Sequence, residues 1–411
     1  MESMTSSRLS CLYCTSLVAG YFKGFEENDM HFHWIKDRVK LLLFVGCGLA
    51  VNQTASSEML FEESFDDQPD WTSAMHSSDT AQYADSHIIP EGWYAVRQDP
   101  TWAPSTGHPD KHESIEILSS NADKARGGIG KSYVSWRDYH EADWNRWNSD
   151  SILAKYFPEG LDEVYVEFYI SFSSDWTPEG QSKLFRMTSW SGNPDFFGYG
   201  GDRENGPVIF FDYNVTSGVR NFLAFRKGPH GENYGMSNES MGDVPRKLIG
   251  SGDYPGNWTS NTVGSTYGED PQIPDKVNGG YISKDSAYYP SHEQIYGPDR
   301  SWTKYAFYVK MNSAPGVRDG VFKQWLDDQL VLETNKVTWV DSNSENKMVK
   351  WNVVAIGGND FWRGDYTNAD RREEWYAIDD IVIATRPPEG LGSGGGGFQS
   401  PPEPPVDISV E

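Results

Sequence analysis

Eight side chains in this chain have the types needed to hold a negative charge and to move a proton. Lys183, Arg186, Arg220 and Arg226 supply the cations, and Tyr288, Tyr289, His230 and His292 the proton carriers. A cation stabilises negative charge that develops in a transition state. A tyrosine can act as acid or base where neighbouring cations lower its pKa from about 10. Arg220 and Arg226 share strand parity and could face one groove, whereas Lys183 and Arg186 differ in parity and share a face only if a bulge intervenes. His230 lies in Pro229-His230-Gly231, which reads equally as an ordinary loop. Tyr288 and Tyr289 precede Pro290 and read equally as packing aromatics.

The elements that must position these residues read as strands. Val164–Phe172, Gln181–Met187, Val208–Tyr213 and Asn221–Arg226 are short, rich in β-branched and aromatic residues, and partly alternating. Lys183 heads an otherwise apolar strand, where a lysine either snorkels at a sheet edge or lines a wet groove. The pattern resumes at Lys304–Met311, Val321–Leu326, Leu330–Glu333, Trp351–Ile356 and Trp375–Ile383, with an Asp327-Asp328-Gln329 hairpin turn. Ser114–Leu118 is a further short strand, and 68–112 reads as loops with short strands. No helical periodicity is sustained beyond the N-terminal stretch, so the fold class expected is all-β. The four strands from 164 to 226 are expected in one concave sheet, forming a sugar-binding groove with Lys183 in its floor. The 16 Trp and 14% aromatic content suit carbohydrate handling, because ring faces stack on sugars, and suit equally a large sandwich core.

A net charge of -25 argues against nucleic-acid partners. It also weighs against an anionic polysaccharide unless basic residues cluster locally. The three cysteines, Cys11, Cys14 and Cys47, all precede residue 50, so the folded domain holds neither a disulfide nor a thiolate metal site. Gly127–Ser132 ends in Gly-Lys-Ser but lacks the first glycine and the leading strand of a phosphate loop.

Composition divides the chain into four parts. Residues 1–29 read as an extension ahead of a start at Met30, or as disorder. Residues 30–56 carry signal-peptide grammar: a basic region, the apolar run Leu41–Val51, and small residues at Thr54-Ala55-Ser56. Export is expected, with a mature N-terminus near Ser56; Phe44–Cys47 forms only a weak lipoprotein box. The apolar run is too short for a membrane span. Residues 57–388 form the folded domain, and 389–411 a Gly/Ser/Pro-rich linker leading toward a further C-terminal module. Within the domain, the polar stretch 228–280 reads as a lid or an insert. Asn52, Asn214, Asn238 and Asn257 head glycosylation sequons.

The order of the pieces over residues 60–386 resembles the concanavalin A-like jelly-roll polysaccharide lyases, the group that includes alginate and glucuronan lyases. The resemblance rests on Tyr288-Tyr289-Pro290, Tyr296-Gly297, Trp302 with the strand after it, Asp319–Trp325 and Ile378–Val382. It implies two antiparallel sheets, a secreted enzyme that cleaves a uronate-containing polysaccharide by β-elimination, and catalytic roles for Lys183 and Tyr288. Ser286 stands where the family carries a second tyrosine, and Phe185-Arg186 where it carries a proline. Such a reaction needs a cation to neutralise the uronate carboxylate, a base for the C5 proton and an acid for the leaving oxygen. Arg186, Arg220, Arg226, Tyr289, His230 and His292 would then bind substrate. No cofactor is required, although Asp379-Asp380 with Glu62-Glu63 or Asp66-Asp67 could bind a structural calcium through hard oxygen ligands.

Two other functions use the same fold. A non-catalytic, lectin-like domain would use the same sheet and aromatics without needing Lys183 or Tyr288. A jelly-roll glycoside hydrolase would need two carboxylates about 5–5.5 Å apart for retention. Neither Glu113–Glu116 nor Asp162–Glu167 gives the required alternation.

Overall fold

The computed structural model describes residues 57–73, 81–97, 112–138, 147–174, 176, 181–190, 207–214, 220–226, 274–281, 291–340, 348–361 and 373–391. Sixteen strands are named in chain order. The early ones are β1 (Met59–Glu63), β2 (Trp71–Thr72), β3 (Ala81–Tyr83), β4 (Ala95–Arg97), β5 (Ile115–Ile117), β6 (Tyr133–Asp138), β7 (Trp147–Leu161) and β8 (Glu163–Phe172). The later ones are β9 (Gln181–Thr188), β10 (Val208–Asn214), β11 (Arg220–Arg226), β12 (Thr303–Lys310), β13 (Gly320–Leu326), β14 (Gln329–Val337), β15 (Trp351–Phe361) and β16 (Glu373–Ala384). One short helix, α1 (His292–Tyr296), precedes β12; Ser291 caps it and forms a reciprocal capping box with Gln294.

All the pairings among the described strands are antiparallel. They build two sheets. The first runs β14-β13-β12-β8-β16-β6-β5-β2, with β1 also paired to β16; the second runs β11-β10-β9-β15-β7-β4-β3. This is the sandwich of two antiparallel sheets that was expected. No helix among the described residues is long and apolar enough to cross a membrane.

The two sheets bury their alternating apolar faces against each other. From the first come Val164, Val166, Phe168 and Ile170 of β8 and Tyr305, Phe307 and Val309 of β12. From the second come Leu184, Phe185 and Met187 of β9 and Val354 and Ile356 of β15. Phe185 makes the crossing directly, 4.9 Å from Phe307 and 5.4 Å from Phe168 between ring centres.

One expectation is corrected here. Val164–Phe172 does not share a sheet with the three strands that follow it in sequence. As β8 it pairs with β12 and β16 in the first sheet, while β9, β10 and β11 lie in the second. Alternation marks one buried face, and a strand of either sheet shows the same alternation. The turn Asp327-Asp328 forms as expected, with both residues at positive φ (47° and 63°), the mirror-image turn that matches strand twist. Gly127–Ser132 leads into strand β6, not into a phosphate-binding helix.

Candidate functional site

Lys183 lies on β9, in the middle of the second sheet. Its neighbour Ser182 is fully buried and accepts a hydrogen bond from Arg137 Nη1 at 3.1 Å. Leu184 and Phe185 both belong to the core between the sheets. Two consecutive inward residues require a bulge, and the ladder shows it: Phe211 pairs with Phe185, whereas the next residue, Asp212, pairs with Lys183. The extra residue restores parity, so Lys183 and Arg186 lie on the same, outer face. Their two rows are roughly 7 Å apart along the strand by strand geometry.

That outer face has a regular plan. One row crosses all seven strands: Tyr83, Ala95, Ala154, Ala355, Arg186, Phe210 and Ala224, each paired with the next. Six strand spacings make this row roughly 29 Å long. Between Tyr83 and Arg186 it carries only alanines, so no side chain there extends past Cβ. On one side of this row stand Arg97 and Ile152, and farther along Lys183 and Asp212. On the other side stand Tyr156, Val353, Thr188, Val208 and Arg226. Arg220 occupies the register position opposite Asn214, in step with Arg226 along β11. This face of an acidic chain thus carries Arg97, Lys183 and Arg186, with Arg220 and Arg226 at register positions on β11. Arg97 belongs to it and was missed in the sequence, where its strand is three residues long.

Arg97 and Arg186 are almost wholly buried on this face, at 8% and 4% exposure, whereas Lys183 is half-buried. The lysine is held closely. A Cβ added at Gly358 would stand 2.6 Å from both the Cβ and the carbonyl oxygen of Lys183. Gly358→Ala is therefore expected to force the two strands apart and cost about 1–3 kcal/mol of stability. Urea denaturation checks this; an unchanged midpoint would refute the close fit.

Beneath Lys183 the two sheets are joined by polar contacts. Tyr133 donates to the carbonyl of Ser151 at 3.2 Å, and the hydroxyls of Ser135 and Ser151 share a hydrogen bond of 2.7 Å. Arg137 and Glu374 form a buried ion pair of 2.7 Å, with the guanidinium 3.4 Å from the centre of the Trp176 ring.

His292 lies elsewhere. It opens α1, stacks on Tyr296 at 4.8 Å and meets the edge of Phe172 at 4.9 Å. Both neighbours are core residues, so His292 packs on the core side of the sandwich. Burial holds its imidazole down at about 4, neutral at physiological pH, against the upward pull of Glu293. Its residue type had suggested a groove ligand; burial beside apolar rings decides its position instead. Tyr288, Tyr289 and His230 lie outside the described residues.

Of the residues considered for calcium, Asp379, Asp380 and Asp66 already hold other partners. Asp379 accepts from the backbone N–H groups of Arg126 and Asp380, both at 2.8 Å. Asp380 pairs with the Arg126 guanidinium, and Asp66 accepts from Lys131 N at 2.9 Å. Among the described residues no group of three or more His, Cys, Asp or Glu is placed to hold a metal ion. Burial pushes the Asp379 carboxyl up to about 7, and the nearby charges of Asp380 and Asp66 add to it. The folded state thus keeps the Asp379 proton that the unfolded chain releases near pH 4, so stability from this group is present at low pH and falls as pH rises from about 4 through 7. Asp379→Asn cannot titrate. Its stability relative to the parent should improve across that interval in urea melts at pH 4, 5.5 and 8, and a constant difference would refute the shift.

The second sheet also presents rings that the sequence did not single out. Tyr83, Tyr94, Tyr156 and Trp190 are half-buried and pack beside the alanine row. They lie in separate strands or at strand ends, with no common motif to mark them.

No known protein-family model matches the chain, and no curated protein matches it. Solved structures do. The chain is similar to an alginate lyase, Aly36B, in complex with alginate tetrasaccharide, at 13% identity and a TM-score of 0.40, over 82% of this chain and 100% of that one. It is similar to the endo-beta-1,4-glucuronan lyase of the fungus Trichoderma reesei, at 12% identity and a TM-score of 0.40, over 80% and 96%. It is also similar to LamA of Z. galactanivorans, solved with laminaritriose and laminaritetraose, at 12% identity and a TM-score of 0.37, over 80% and 100%.

Proposed function

We propose that the outer face of the second sheet binds an acidic polysaccharide and that the protein is an exported lyase acting on a uronate-containing polymer. The observation that carries this reading is the bulge at Leu184, which brings Lys183 and Arg186 to one face, with Arg97 on it and Arg220 and Arg226 at register positions beside them. Such a face supplies what β-elimination needs first, a cation to hold the uronate carboxylate while the C5 proton leaves. Lys183 would stabilise the developing charge, and Tyr288 would transfer the proton. The half-buried rings of this sheet favour a second reading, a lectin-like domain that binds the same polymer without cleaving it.

One experiment separates them. The protein is incubated with alginate, glucuronan and other uronate polymers, and the ultraviolet absorbance of unsaturated ends is followed. A rise with one polymer supports the lyase and names its substrate; no rise with any polymer the protein binds leaves the lectin-like reading. A structural calcium at Asp379 and Asp380 would have to displace their contacts with Arg126. A melt in calcium against one in chelator tests this directly: a raised Tm in calcium would show that the carboxylates rearrange around the ion.

A further inference from the structure

We propose that Gln294 is a positioning residue for Tyr288: its buried amide ties together the two flanks of the stretch that carries the tyrosine. The proposal rests on the lyase reading above, in which Tyr288 transfers the proton.

Tyr288 and Tyr289 lie in the stretch 282–290, between Tyr281 and Ser291. One side chain reaches both flanks. At the later one, Gln294 Oε1 accepts from the backbone N–H of Ser291 at 2.9 Å. At the earlier one, Gln294 Nε2 donates to Asp275 Oδ2 at 2.6 Å. Asp275 organises the turn that ends at Tyr281. Its Oδ1 accepts from the N–H groups of Val277 and Asn278 at 3.0 and 2.8 Å, its own N–H donates to the carbonyl of Gly280 at 3.1 Å, and Pro274 bridges to Tyr281. A backbone bond from Lys276 N–H to the Gln294 carbonyl, 2.9 Å long, runs beside the amide contact.

The contact is built to hold. Gln294 and Asp275 are 7% and 8% exposed, and an amide donating to a carboxylate makes a charge-assisted bond that burial strengthens. The clamp is also fastened to the sandwich. The next two residues of α1, Ile295 and Tyr296, enter the core, and the Tyr305 hydroxyl of β12 donates to that of Tyr296 at 2.9 Å. From the turn, Lys276 Nζ reaches Thr303 Oγ1 on β12 and Asp327 in the β13–β14 hairpin, both at 2.7 Å. Joining the two flanks at one rigid point removes freedom from whatever lies between them. A proton carrier needs that restriction, since it acts only within hydrogen-bond reach and a misplacement of about 1 Å costs on the order of 10²-fold.

The test is steady-state kinetics of the full chain and its variants on the uronate polymer that yields unsaturated ends, with melting curves alongside. Gln294→Ala should lower kcat by about tenfold with KM little changed, since the cations of the outer face are untouched. In a Tyr288→Phe background the same substitution should change kcat by less than about twofold, because residues that act as a unit are not additive. A merely structural role predicts equal losses in both backgrounds. Gln294→Glu sets two carboxylates together and should lose kcat likewise; adding Asp275→Asn reverses donor and acceptor across the contact and should restore most of it. Should Gln294→Ala fail to melt cooperatively, Gln294→Glu and its rescue carry the test. Parental kcat in the Gln294 variants, or equal losses with and without Tyr288, would overturn the positioning role and leave the lyase reading standing. A parent that releases no unsaturated ends defeats the lyase reading itself, a fully active Tyr288→Phe defeats the proton carrier, and either result removes the positioning role with it.

Discussion

Replacing Lys183 with alanine is expected to lower turnover of a uronate polymer by about 10²-fold or more, with the melting curve unchanged, since one preorganised charge donor contributes on this scale. The side chain is half-buried on the outer face and fills no part of the core, so its removal opens no cavity there. Its immediate neighbours do face the core: Ser182 toward Arg137, and Leu184 among the apolar side chains. The variant therefore separates chemistry from folding cleanly. Tyr288→Phe should lose activity to a similar degree, because it keeps the ring and removes only the transferable proton. A Lys183→Ala protein with parental turnover would refute the assignment. A loss confined to KM, with kcat intact, would recast Lys183 as a substrate ligand.

Glu374→Ala should cost about 3–5 kcal/mol of stability, the effect of breaking a buried ion pair by removing one partner. Arg137 is 1% exposed and Glu374 is fully buried, with Arg137 Nε and Nη2 directed at the same carboxylate oxygen at 3.2 and 2.7 Å. Without the carboxylate the guanidinium keeps its bond to Ser182 and its contact with Trp176, neither of which carries a compensating negative charge. Urea denaturation of the variant measures the loss. An unchanged midpoint would mean that the guanidinium finds water or another acceptor. Because Arg137 also holds Ser182, the residue beside Lys183, the variant should be less active even at temperatures where it remains folded. Replacing both partners with apolar residues of similar volume should restore much of the stability and not the activity, since an apolar side chain cannot donate to Ser182.

Much of the architecture was legible in the chain before folding. Alternation in Val164–Phe172, Lys304–Met311 and Trp375–Ile383 marked strands, and Asp327-Asp328 between apolar runs marked a hairpin, because both signals are local. Sheet membership was not legible. Val164–Phe172 reads the same on either side of a sandwich, and only its pairing with β12 and β16 assigns it to the first sheet. The long strand β7 was overlooked because Trp147–Leu161 contains a proline, a glycine and several polar residues, yet it pairs with β15 and β4.

The candidate site divides along the same line. The sequence alone determined the residue types: a lysine heading an apolar strand, an arginine three residues on, and two more in step on a later strand. It also posed the condition for Lys183 and Arg186 to act together, namely a bulge. Whether the bulge exists was decided by tertiary structure, since Leu184 and Phe185 both gain by entering the core and the ladder must skip a residue to admit them. His292 was decided the same way, drawn onto Phe172 and Tyr296 and kept neutral by burial. The ring cluster and Arg97 had no signal at all. Tyr83, Tyr94, Tyr156 and Trp190 come from four separated places in the chain, and only the register of the second sheet packs them against one buried row of alanines. Local pattern specifies which residues are strand and which face is apolar; the neighbours across a sheet are set by long-range pairing, which no short stretch of sequence encodes.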